Sequence, residues 1–182
     1  MNHGEWTSTL GKNLKEDVEK SSNPELEVYC GHWKNGESCK IIPYFGEYGT
    51  DTTLSNADLA IVSKTGKKLL VLCEIEEEGA KPKLVIGDVA NIFLADKVRI
   101  NKKDYTLKNT VFILGVRVGE KGKNNNAESK VASIVNNIQK IVKKKSLRGI
   151  KVLTITKPTY EDLIGELEKE ICRIINIEVA PK

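Results

Sequence analysis

Aromatic residues make up only 5% of the 182 positions, so a binding face built from several stacked rings is not expected. Long apolar runs are missing as well; none approaches the ~20 residues that a membrane-spanning helix needs. The opening stretch, MNHGEWTSTLGK, carries no apolar segment of the kind that directs export. The expectation is a soluble cytoplasmic protein. Neither sign of charge dominates, since 29 Lys+Arg against 25 Asp+Glu leaves +4, too mild to identify a polyanionic partner. A glycine-rich phosphate loop is lacking, because GVRVGEKGK has neither the order nor the strand–helix setting of one. With only His3 and His32, widely separated in sequence, nothing suggests a Ser/His/Asp triad.

Cysteine is sparse, and the four present are expected to be free thiols in a reducing compartment. Cys73 (in LLVLCEI) and Cys172 (in LEKEICRII) read as small buried hydrophobes. Cys30, His32 and Cys39 form C-x-H-x6-C, which offers three ligands at irregular spacing where structural zinc wants four.

What remains is an ordinary globular balance of 40% apolar and 30% charged residues. One domain spanning 1–182 is expected, burying roughly 70% of its unfolded surface. Residues 4–20 place Trp6, Leu10, Leu14 and Val18 along one stripe of an amphipathic helix, which SSNP ends. ELEVYCGHW alternates like a strand, and CKIIPYF reads as a short one that Pro43 confines to an edge or a strand end. DLAIVS and KLLVLCEIEEE, separated by KTGK, predict a hairpin; both runs are continuously apolar, so it should be central. KPKLVIGDVANIFLADKV is helical through Val98, with Pro82 in its first turn. NTVFILGVRV is a buried strand, ESKVASIVNNIQKIVKKK a helix, IKVLTIT a strand, and TYEDLIGELEKEICRII a closing helix capped by Thr159. The order implies an α/β fold on a mixed central sheet flanked by helices.

The hairpin carries the costly feature. Asp58 opens its first strand, while Glu74 and Glu76, two apart, share a face of the second. A three-residue turn at Thr65–Lys67 sets Asp58 opposite Glu74; a two-residue turn shifts the pairing by one. Three crowded carboxylates repel and resist desolvation, which a hard divalent cation with oxygen ligands relieves. The same spacing also fits a strand end whose acids emerge into solvent, balanced by Lys67, Lys68, Lys81 and Lys83.

Ala57-Asp58, a short turn, then Glu74-Ile75-Glu76, set between helices over residues 4–118, resembles the PD-(D/E)XK nuclease superfamily. Within it the chain looks most like a restriction endonuclease with glutamate where the motif lysine stands. The resemblance implies an αβββαβ core, here with a helix–strand–helix extension. It also implies Mg²⁺ (with Mn²⁺ as a substitute) held by Asp58 and Glu74, endonucleolytic hydrolysis of DNA, and a homodimer. In place of the motif lysine, either Glu76 itself orients or deprotonates the attacking water, or a lysine from the next helix, Lys81 or Lys83, supplies the positive charge. A further acid is expected from Glu47 in the loop, ahead of Glu16 or Glu5 in the first helix. Lys143, Lys144, Lys145 and Arg148 are the candidate DNA-backbone contacts, although cations at a helix end also suit its dipole without any partner. The alternative is a non-catalytic DNA-binding or assembly module that keeps the nuclease fold.

Overall fold

The computed structural model describes residues 2–21, 23, 25–32, 39–65, 67–76, 82–118 and 149–177, with positions 130, 133, 134, 136, 137 and 140 between them. The apolar runs become strands of one mixed sheet. These are β1 (Leu26–Cys30), β2 (Ile41–Tyr44), β3 (Leu59–Ser63), β4 (Lys68–Glu76), β5 (Lys97–Ile100), β6 (Lys103–Thr106), β7 (Val111–Arg117) and β8 (Lys151–Lys157). The helices are α1 (His3–Lys20), α2 (Pro82–Leu94) and α3 (Tyr160–Ile175).

Down the centre run β1, β3, β4, β7 and β8. β1 pairs antiparallel with β3, and β3 with β4; β4 then pairs parallel with β7, and β7 with β8. Read in chain order, α1, β1, β3, β4, α2 and β7 follow αβββαβ. The extension supplies β8 and α3, preceded by helical positions between 130 and 140. β2, β5 and β6 form an antiparallel ribbon that joins β4 through the single pairing of Lys68 with Thr106. Pro43 is accommodated because β2 lies at the far edge of that ribbon, with β5 its one neighbouring strand among the described residues.

Two apolar layers cover the sheet. On one face α1 and α3 pack Leu10, Leu14, Leu163, Leu167 and Ile171 over Leu59, Ile61, Val71, Cys73, Ile75 and Ile113. On the other, Val85, Val89 and Ile92 of α2 cover Ala60, Val62, Leu72, Phe112, Leu114 and Val116. The alternation follows the two-residue period of a strand. Each large side chain buried this way stabilises the fold by about 1.5–3 kcal/mol. Gly115 is a point of close approach: a Cβ there would lie 2.9 Å from Leu167 Cδ1 of α3.

Two expectations are corrected. The helix predicted through Val98 stops at Leu94, and Val98 lies in β5, whose hairpin with β6 turns through Asn101 and Lys102 at positive φ. The β3–β4 loop is four residues rather than three, since Ser63 faces Lys68. A bulge between Ile61 and Val62 leaves Leu70 unopposed and restores Leu59 to Cys73. The two departures cancel at the far end of the hairpin, so the residues flanking that last pair, Asp58 and Glu74, come together.

A candidate metal centre at the end of the hairpin

Parity carries the acids to one side. Ala60 and Val62 of β3, like Leu72 of β4, face α2. Asp58, Glu74 and Glu76 have the same parity, so they turn toward α2 as well. There they meet Asp88, which lies three residues after Val85 and four before Ile92 on the stripe that α2 buries. Asp58 is 6% exposed and Glu74 9%, while Glu76 and Asp88 are half-buried.

Asp58 is held at both oxygens. The Ile75 amide, between the two glutamates, donates to Oδ2 at 2.8 Å. Oδ1 lies 3.1 Å from His3 Nε2 and 3.6 Å from His32 Nε2. His3 is the first residue of α1, fixed by a capping box in which Asn2 Oδ1 accepts from the Glu5 amide and Asn2 N–H donates to Glu5 Oε2. His32 follows Gly31, whose amide donates to the Asp58 carbonyl at 2.8 Å. A Cβ at Gly31 would lie 3.1 Å from the Ala57 carbonyl oxygen, so glycine lets this turn press against the start of β3.

The carboxyls crowd one another. Burial, followed by the Asp58 charge, holds the Glu74 pKa well above the ordinary glutamate range. Glu76 is pushed up to about 7, first by desolvation and then by Asp88. Asp88 is itself raised, by burial and by the Asp58 charge. Crowded, desolvated carboxylates are costly unless protons or a cation offset their charge. Four acids gathered in this way mark a place where a divalent cation would substitute for protons. The donor set fits one: every group is a hard oxygen, and Asp88 Oδ2 is buried with no hydrogen-bond partner. Among the described residues, the groups of potential positive charge that meet Asp58 at ion-pair distance are the two histidines.

Glu47 is exposed in the loop after β2, where its carbonyl accepts from Thr52 Oγ1 at 2.6 Å; the fourth acid of the cluster is Asp88. Glu16 is exposed on α1, and Glu5 serves the capping box. Lys83 is exposed on the first turn of α2. Lys81, Lys143, Lys144, Lys145 and Arg148 lie outside the described residues. Cys30 Sγ donates to the Thr7 carbonyl and Cys39 Sγ to Asn101 Oδ1, while the His32 ring nitrogen meets Asp58.

Sequence reasoning missed Asp88, His3 and His32 as members of this site. Asp88 had a signal, an acid on the inner stripe of an apolar helix. The histidines had none, because only the folded chain brings the start of α1 and the end of β1 to Asp58. Among the described residues no helix is long and apolar enough to cross a membrane. Comparison with family profiles, curated proteins and solved structures gives no match.

Proposed function

We propose that this chain is a divalent-metal-dependent endodeoxyribonuclease of the PD-(D/E)XK type, closest in character to a restriction endonuclease and acting as a homodimer. The observation that carries the reading is the gathering of acids at the end of the central hairpin, where the register brings buried Asp58 and Glu74 together beside half-buried Glu76. The αβββαβ order and the position of the acids on it support the same reading.

Asp58 and Glu74 would hold Mg²⁺ or Mn²⁺. Such an ion, when bound, stabilises charge on a phosphate and makes water a better nucleophile. The protein's own groups have distinct tasks. The Ile75 amide fixes Asp58 Oδ2 and His3 Nε2 lies 3.1 Å from Oδ1, which together aim the carboxyl. Glu76, in the motif position of lysine, accepts the proton of the attacking water, and the Asp88 carboxyl raises its affinity for that proton. Lys143, Lys144, Lys145 and Arg148 contact the DNA backbone and give binding its salt dependence. One site cuts one strand, so two chains related by a twofold axis suit cleavage of both.

The test is incubation of supercoiled and linear duplex DNA with Mg²⁺ or Mn²⁺, alongside Asp58→Ala and Glu74→Ala. Nicking and linearisation by the wild type, reduced by ~10²-fold or more in both variants, is expected. Cleavage that survives both substitutions contradicts the assignment. A protein that binds DNA but never cuts it is the non-catalytic module.

A further inference from the structure

We propose that His3, His32 and Asp58 form a nitrogen-bearing metal position that binds a borderline divalent transition ion, of the Zn²⁺ and Co²⁺ class, in preference to Mg²⁺. The three donor atoms lie within 4.8 Å of one another. The edges from Asp58 Oδ1 to the two Nε2 atoms are 3.1 and 3.6 Å. Metal–donor bonds of 2.0–2.2 Å at tetrahedral angles imply edges of ~3.3–3.6 Å, close to the two edges at Asp58, and the histidine–histidine edge has to reach the same range for the set to close on an ion.

The surroundings favour binding over a plain histidine–aspartate contact. Two imidazoles converge on one carboxylate oxygen, although a single protonated histidine would satisfy its charge. Their rings stand edge to face, with centroids 5.5 Å apart. The partner oxygen, Oδ2, is already committed to the Ile75 amide, which leaves Oδ1 presented to the histidines. Access is open on one side, since the His32 side chain is 52% exposed while that of Asp58 is 8% exposed. Three protein donors and an open approach are the pattern of a catalytic rather than a structural ion. Softness decides the metal: imidazole suits Zn²⁺, Co²⁺ and Fe²⁺, whereas Mg²⁺ prefers oxygen throughout. Asp58 thus belongs to two donor sets, one of oxygens toward α2 and one with nitrogens toward α1 and β1.

This inference does not depend on phosphodiester cleavage. Protein stripped with a chelator is titrated with Co²⁺, and the visible d–d absorption of a nitrogen-ligated ion is followed, with circular dichroism as the check on folding. One Co²⁺ per chain is expected, resistant to ~100-fold excess Mg²⁺. His32→Ala, at a half-exposed position, and His3→Gln should each weaken Co²⁺ binding by ~10-fold or more. Glu47→Gln, at an exposed position in the loop after β2, should keep the band. No visible absorption in the wild type, or a band unchanged in both folded histidine variants, overturns the proposal. A protein that takes up Co²⁺ through the histidines and cuts no DNA upholds it while contradicting the nuclease reading.

Discussion

Removing the charge of Glu76 should stabilise the metal-free protein while abolishing its chemistry. Glu76 is pushed up from 4.5 to about 7, chiefly by burial and then by Asp88. A carboxyl that binds its proton more tightly when folded favours the native state at low pH. That contribution is fully present below about 4.5 and is lost as the pH rises through about 7. The interval corresponds to at most ~3 kcal/mol; because the side chain is half-buried, solvent screening reduces this to ~1–2 kcal/mol. Glu76→Gln deletes the titration but keeps the shape. Urea unfolding with a chelator present, repeated from pH 4.5 to 8, should show variant and wild type nearly equal at the acid end. The variant should be more stable by ~1–2 kcal/mol at pH 8, and added Mg²⁺ should narrow the gap by stabilising the wild type. A variant less stable at pH 8, or a difference that ignores pH, refutes the view that these acids are crowded at a cost which a cation relieves.

Asp88→Ala should weaken Mg²⁺ binding by ~10-fold or more in calorimetry, since it removes an acid whose Oδ2 is buried without a partner. Unchanged affinity takes Asp88 out of the site. Gly31→Val should lower Co²⁺ affinity ~10-fold with little loss of stability, because the new Cβ, 3.1 Å from the Ala57 carbonyl oxygen, displaces His32 from Asp58. Wild-type Co²⁺ affinity in that variant would show that the close turn at Gly31 is not what delivers His32. Gly115→Ala should destabilise by ~1–3 kcal/mol in denaturant unfolding, since Leu167 Cδ1 stands 2.9 Å from the added carbon. A raised midpoint would mean that α3 yields there more readily than its buried packing implies.

The central elements were legible because each has a single-period signature: continuous apolar runs for β3, β4 and β7, and a helical stripe for α1 and α3. The pairing of Asp58 with Glu74 was legible for a less secure reason, since the longer loop and the bulge at Leu70 offset each other. The β5–β6 hairpin was not, because KVRI and KDYT are four-residue strands rich in charge, and Val98 falls four positions after Leu94 as a helix would have it. In the site, same-face glutamates are a local fact and could be read locally. The histidines depend on how α1 caps and how β1 ends against β3, contacts spanning more than twenty residues of sequence. No periodicity records those.

The most direct measurement is a Mn²⁺ titration of chelator-stripped protein, followed by the loss of the free-ion paramagnetic resonance signal, in wild type, Glu74→Gln and Asp58→Asn. Saturable uptake by the wild type, weakened at least ~10-fold in both variants, is the result predicted. Equal uptake by all three proteins, or none by any, contradicts the claim that these carboxyls gather to hold a divalent ion.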